Sequence, residues 1–427
     1  MRTGRHAGTA RRGPDDPDIR TGGTGTGAGA GTGATSARLT HVDALRGFAL
    51  FGILMVNITY LASAYHGTGV VDPGFDSPVD QAVRYLVAIF FEAKFYLLFS
   101  FLFGYSFTLQ LNSAERAAAR FGPRFLRRLA ALFAIGAVHA VVLFPGDILT
   151  TYAVLGLILF AARRTAPRRA VRIAVALFAV TGAGYLLLAL VQYGAGGGID
   201  ATAVAAQAQQ ATEELRGGPG SVLGAHLEQL PDVAFLLIFF QAPAAFAAFL
   251  LGLAAGRREV FTDLARHSRT LRRFQWAGFP VGIAGGVIHA HANLAHPGTD
   301  YQLLALGIDV VTAPLLAAAY AATLLRLLLA GRCRRLAAAL VPVGRMTLTN
   351  YLTQSAVCVL IFTGFGAGLV GRLSPLSVAG VALLLFACQL VVCRWWLVRH
   401  PYGPLEWLLR AVTNASRPRW RRAPGDV

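Results

Sequence analysis

Two stretches of this chain hold residues that can move a proton or bind an anion. In RRLAALFAIGAVHAVVLFPGDI, His139 stands shortly before a Pro-Gly-Asp turn that ends in Asp147. A carboxylate beside an imidazole fixes its tautomer and raises its basicity, so the pair is a candidate general base. Asp147 also opens the next apolar run, where a carboxylate suits the positive end of a helix. The two side chains are expected to meet across a tight helical turn; the alternative is an isolated structural histidine. In THVDALRGFALFGILMVN, Asp43 and Arg46 are spaced i,i+3 and can pair. Asn57 follows Arg46 by eleven residues, about 16 Å of helical rise and about three turns. One helix face then carries a cation at its entrance and an amide deep inside. The alternative is an arginine on lipid headgroups and an asparagine bonded to a neighbouring helix.

Other polar residues interrupt apolar sequence. FFEAKFYLLFSFLFG places Glu92 and Lys94 on different faces of a helix. In VGRMTLTNYLTQS, Thr347, Asn350, Tyr351 and Gln354 fall at i, i+3, i+4 and i+7, which is one helix face, led by Arg345. This polar stripe serves either a substrate seam or interhelical hydrogen bonding. His289 and His291 are two apart and diverge, which argues against a metal pair, with Asn293 beyond them. Asp309 lies in an apolar run and needs a partner that the sequence does not name. Gln241 and Pro243 predict a kink with an amide nearby.

The elements that position these residues are transmembrane helices. Hydrophobic residues make up 55% of the chain, charged residues 14%, and mean hydropathy is +0.54. Ten long apolar stretches run over 44–62, 84–110, 127–144, 147–162, 170–191, 231–255, 274–293, 301–330, 342–369 and 376–398. About 20 apolar residues cross the hydrocarbon core, and most of these stretches reach that length. The connections alternate in charge. The N-terminus, every second connection and the C-terminus together hold 35 of the 39 Lys and Arg. Positive loops stay cytoplasmic, so the expected fold is an all-α polytopic membrane protein with about ten transmembrane helices and both termini cytoplasmic. The net charge of +18 is spread over six short segments rather than one face, which fits anionic lipid headgroups and not nucleic acid.

Residues 1–38 are expected to be a disordered cytoplasmic tail, 39–412 one transmembrane domain, and 413–427 a basic cytoplasmic tail. The run 84–110 is too long for one straight span. Ala201–Ala211, in the long outer connection, suits a short surface helix. PYGPLEWLLR suits an interfacial helix with a Glu406–Arg410 ion pair at i,i+4. The four cysteines show no CxxC and no metal-ligand spacing, so neither disulfides nor a metal are expected.

HVDALRGFALFGILMVN, KFYLLFSFLFGYS, RRLAALFAIGAVHAVVLFPGDILTTYAVLGL, VGRMTLTNYLTQS and GPLEWLLR resemble, in order and over about residues 39–412, the signatures of the YeiB-like bacterial membrane proteins, a domain of unknown function. More distantly, Asp-x-x-Arg-Gly with Asn eleven residues after the Arg is similar to the first helix of heparan-α-glucosaminide N-acetyltransferase. Acyltransferase family three has a related arrangement. That resemblance implies a fold of about ten helices that takes an acyl group from cytoplasmic acyl-CoA and passes it to an acceptor beyond the membrane. Arg46 would face the nucleotide end of the donor, and Asn57 the reacting centre. His66, nine residues after Asn57, is then a candidate base beside His139, although its spacing departs from that family's pattern.

Coenzyme A is a polyanion at its nucleotide end, and Arg46, Arg127, Arg128 and Arg345 all stand at helix openings on the expected cytoplasmic side. The candidate catalytic set is His139, Asp147, Asn57 and His66. Asp43, Glu92, Lys94, Asn350, Tyr351 and Gln354 form the candidate polar seam. The expected partners are the lipid bilayer, acyl-CoA and an acceptor, in the bacterial plasma membrane. The competing expectation is a proton-coupled small-solute transporter that uses Glu92, Lys94, His139 and Asp147.

Overall fold

The computed structural model describes residues 28–116, 120–194 and 200–422, with side chains from Thr40 onward. Among these residues all regular structure is helical. The helices are α1 (Ala28–Ala62), α2 (Pro78–Phe90), α3 (Lys94–Arg116), α4 (Phe121–Val142), α5 (Ile148–Ala161), α6 (Pro167–Gly194), α7 (Ala201–Arg216), α8 (Pro219–Leu236), α9 (Ala242–Arg257), α10 (Ser268–Ala295), α11 (Tyr301–Leu329), α12 (Arg334–Arg345), α13 (Thr347–Phe362), α14 (Pro375–Arg399) and α15 (Pro404–Asn414). The tails expected at 1–38 and 413–427 fall in part on 1–27 and 423–427, outside the described residues, and the α1 backbone is already helical from Ala28.

Seven stretches are long and apolar enough to cross a membrane: 40–62, 78–116, 121–142, 167–194, 219–257, 301–329 and 375–399. Three of the ten expected spans fall short of that measure. α5 has 14 residues and α13 has 16, about 21 and 24 Å of rise. α10 has 28 residues, but glycines, histidines and a glutamine dilute its apolar run. Large apolar side chains point outward from α6 (Val180, Leu187, Leu190, Val191) and from α14 (Leu384, Val391, Trp395, Val398). Such faces need hydrocarbon around them, and the chain is a membrane protein.

The run 84–110 is two helices. Ser77 caps α2, accepting from the Asp80 N–H, with Pro78 in the first turn. The chain breaks after Phe90, and Ala93 sits at φ 63° in the left-handed region. Glu92 and Lys94 flank that bend. Where a kink is expected, at Gln241–Pro243, a π-helical turn, Leu237–Gln241, joins α8 to α9. α3 and α9 approach so closely that a Cβ at Gly104 would overlap the Phe249 carbonyl and one at Gly252 the Phe101 carbonyl. α1 packs against α3, α12, α13 and α14, so Asn57 on α1 can face α13.

Around α15 the structure differs from the expected local ion pair. Glu406 accepts from the Leu348 N–H at 2.6 Å and from the Thr349 N–H at 3.1 Å, closing the N-terminus of α13. Its other oxygen accepts from Thr349 Oγ1 at 2.6 Å. Arg410 lies over the Tyr402 ring, 4.3 Å from its centroid. Donors at an open helix end, aligned with its dipole, outcompete a solvated i,i+4 arginine.

Candidate functional site

His139 lies near the end of α4, and the turn after it brings Asp147 back as the N-cap of α5. Asp147 Oδ2 accepts from the Thr150 N–H at 2.8 Å. Its Oδ1 is 2.9 Å from His139 Nδ1, with the two side chains 1% and 0% exposed. The approach is out of line for a well-formed hydrogen bond, so the contact is chiefly one of charge and dipole. Gly136, one turn before His139, admits the first turn of α5: a Cβ there would lie 2.7 Å from both Asp147 Oδ2 and the Thr150 nitrogen.

The other ring nitrogen of His139 meets α13. Its Nε2 is 2.9 Å from Ser355 Oγ, which is buried. One turn earlier, the Tyr351 ring lies 5.0 Å from the imidazole, centroid to centroid. The Tyr351 hydroxyl is buried. Asn57 and the Ile148 backbone approach it, and the Asp147 carboxylate acts on it by charge. Thus His139, Asp147, Asn57 and Tyr351, on α4, α5, α1 and α13, converge on one buried point. Ser355 joins them and was not singled out in the sequence. It follows Tyr351 by four residues, which puts both on one helix face.

The rest of the polar stripe turns elsewhere. Gln354 Nε2 donates to Gln389 Oε1 on α14 at 2.7 Å, and Gln389 Nε2 donates to the Asn350 carbonyl at 3.1 Å. The Asn350 amide donates to the Val343 carbonyl at 3.2 Å and lies 3.1 Å from Cys393 Sγ. Asn350 and Gln354 tie α13 to α14, while Tyr351 and Ser355 face His139.

At the arginine-bearing end of α1, Arg46 pairs with Asp43 at 2.8 Å and donates to Ser106 Oγ at 2.5 Å. Arg128 donates to Gln110 Oε1 at 3.1 Å, and its Nε is buried without a bond. It feels the charges of Arg46 and Arg410. Arg345 reaches the Pro401 carbonyl at 3.4 Å, and its charge is felt at Asp43. Arg127 turns away, donating to the Thr413 carbonyl at 3.0 and 3.2 Å.

His66 is not beside His139. Its ring packs on Tyr60, Tyr60 on Phe144, and Phe144 on His139. His66 Nε2 lies 3.5 Å from Glu92 Oε1, and His289 Nε2 lies 3.2 Å from Glu92 Oε2. Asn293 approaches His289. Burial lowers the His66 pKa, Glu92 pulls it up, and Arg84 and His289 push it down further. Beside this cluster, Lys94 Nζ lies 3.0 Å from Asp309 Oδ1, with both side chains buried. Asp309 thus gains the partner that the sequence did not name.

A family described as "Protein of unknown function (DUF418)" matches residues 255–416. The chain is 32% identical over 401 residues to "Uncharacterized protein YxaH" of Bacillus subtilis (strain 168), covering 90% of this chain and 96% of that protein. It is 31% identical to an "Uncharacterized 39.9 kDa protein in amylase 3'region" of Bacillus acidopullulyticus, covering 89% and 95%. With "Uncharacterized protein YeiB" of Escherichia coli (strain K12) the identity is 26%, over 87% and 95%. No solved structure matches the chain.

Proposed function

The chain belongs to the YeiB-like family of proteins of unknown function, and on that footing we propose that it is a plasma-membrane acyltransferase. It takes an acyl group, acetyl in the simplest case, from acyl-CoA on the cytoplasmic side. The acceptor is extracytoplasmic or lipid-linked. In this reading the bundle crosses the membrane ten times, with α5, α10 and α13 completing the spans and both termini cytoplasmic.

One observation carries the reading: His139, Asp147, Asn57 and Tyr351 meet at a single buried point from four different helices. Asp147 orients the imidazole, and Nε2, on the side of Ser355, takes the proton of an attacking hydroxyl or amine. The buried Tyr351 hydroxyl and the Asn57 amide beside it are donors for the oxyanion that forms on the acyl carbon. Arg46 and Arg128, with Arg345 and the outlying Arg127, supply charge for the nucleotide phosphates. The resemblance of the first helix to heparan-α-glucosaminide N-acetyltransferase supports the same donor.

Calorimetric titration of the detergent-purified protein with acetyl-CoA and longer acyl-CoAs, beside Arg46→Ala, tests this. Saturable binding that weakens in the variant is expected, and His139→Ala should keep donor binding while losing transfer. A well-folded protein that binds no acyl-CoA would refute the reading. The buried Lys94–Asp309 pair beside Glu92 and two histidines favours a second reading, proton-coupled transport of a small solute. Solute flux in liposomes without acyl-CoA consumption would put that reading first.

A further inference from the structure

We propose that Ser355 is itself acylated during the reaction, so that transfer runs through a covalent acyl-serine rather than directly from thioester to acceptor. This inference rests on the acyltransferase reading above. Its observation is separate: the second nitrogen of the His139 imidazole is not open. It is 2.9 Å from the Ser355 hydroxyl, while the first nitrogen faces Asp147 at the same distance.

Carboxylate, imidazole and hydroxyl in that order are the parts of an activated serine. Asp147 Oδ1 accepts only, so it favours the tautomer that carries its proton on Nδ1. In that tautomer Nε2 is the acceptor for the Ser355 hydroxyl, whose other acceptor is the Tyr351 carbonyl at the longer distance of 3.4 Å. Asp147 is held against rotation, since its second oxygen is occupied by the Thr150 N–H. Ser355 is fixed by the rigid helix that bears it, one turn after Tyr351. The Tyr351 hydroxyl is therefore on the same face as the nucleophile, buried beside Asn57. An oxyanion on an acyl group attached to Ser355 would accept from it.

The steps balance. Ser355 Oγ bonds to the thioester carbonyl carbon as its proton passes to His139 Nε2. The C–S bond breaks, and the departing sulfur takes that proton and leaves as the CoA thiol. The acceptor hydroxyl or amine then gives its proton to Nε2 as it bonds to the ester carbonyl carbon. The bond to Ser355 Oγ breaks, and the proton returns to the serine. Nothing is oxidised or reduced. The imidazole serves both half-reactions from one nitrogen, so donor and acceptor need not be present together. That suits a donor and an acceptor on opposite sides of a membrane.

The test uses the full-length protein in detergent with acetyl-CoA and no acceptor. Expected are a rapid release of CoA thiol of about one equivalent and an acetyl adduct on the peptide that contains Ser355, found by mass spectrometry. Ser355→Ala should lose the burst and the adduct, and its transfer should fall by at least about a hundredfold. It should keep acetyl-CoA affinity and melting temperature. Ser355→Cys, which keeps a nucleophile at the same place, should regain an adduct that neutral hydroxylamine releases. Transfer in Ser355→Ala at the wild-type rate, or an adduct on another residue, would overturn the acyl-serine and leave the acyltransferase standing. Wild-type protein that neither binds nor consumes acyl-CoA would overturn both.

Discussion

The ammonium of Lys94 lies 3.0 Å from the carboxylate of Asp309, across 215 residues of sequence and with 0% and 1% of the two side chains exposed. The pair ties the first turn of α3 to the third turn of α11. Removing one partner leaves a bare charge in a medium that cannot solvate it. Lys94→Met is expected to cost about 3–5 kcal/mol. The double change Lys94→Met with Asp309→Leu should return most of that. Thermal unfolding in detergent checks both, and a single variant as stable as wild type would show that the pair does not hold α3.

Gly136→Ala should separate packing from chemistry. The added methyl meets Asp147 Oδ2 and the Thr150 nitrogen at 2.7 Å, and one of these is backbone. The first turn of α5 must shift, at a cost of about 1–3 kcal/mol, and the carboxylate moves with it. Acyl transfer should fall by roughly tenfold or more while donor binding holds. Gly184→Ala is the control: nothing lies within 4 Å of its Cβ, and stability should rise slightly. Equal activity in the two variants would contradict the role given to Asp147.

Glu406→Ala removes the acceptor of two α13 backbone N–H groups and one threonine hydroxyl. A loss of about 1–3 kcal/mol is expected. Hydrogen exchange should rise at Leu348 and Thr349 before it rises in α14. Unchanged protection at those two amides would rule out the cap.

His66 gives a pH dependence with a definite sign. Its folded pKa is below the ordinary 6.5, mainly through burial. The unfolded chain therefore takes up the proton more readily than the folded one. The stabilising contribution is complete above 6.5 and is lost as pH falls from there toward the folded value. In melts between pH 8 and 5, wild type should lose stability more steeply below 6.5 than His66→Gln. Parallel curves would mean that the imidazole does not titrate differently in the two states.

Much of the site was legible because it is local. His139 and Asp147 are joined by one tight turn, and a turn with Pro and Gly leaves few ways to place its ends. Asn57 was legible through helical phase from Arg46. Ser355 was missed for a related reason. At 100° per residue the stripe on α13 spans two neighbours, and spacing from Thr347 selects Gln354 while spacing from Tyr351 selects Ser355. Which subset faces His139 depends on the seating of α13 between α1 and α14. The partners of Glu92 and Asp309 were not legible, since those contacts join segments far apart in the chain. That 84–110 exceeds one straight span was legible from its length, but the place of the break was not, because nothing in its composition marks the left-handed Ala93.

The cap on α13 has a consequence for the order in which the molecule is built. The leading N–H groups of the helix that carries Tyr351 and Ser355 are closed by a carboxylate 58 residues later in the chain. While synthesis runs through α14, the His139–Asp147 hairpin is already complete, but α13 still lacks its anchor. The N-terminus of α13 is thus closed by one of the last helices to leave the ribosome. A nascent chain stalled between α14 and α15 would hold the His139–Asp147 hairpin with the first N–H groups of α13 still uncapped.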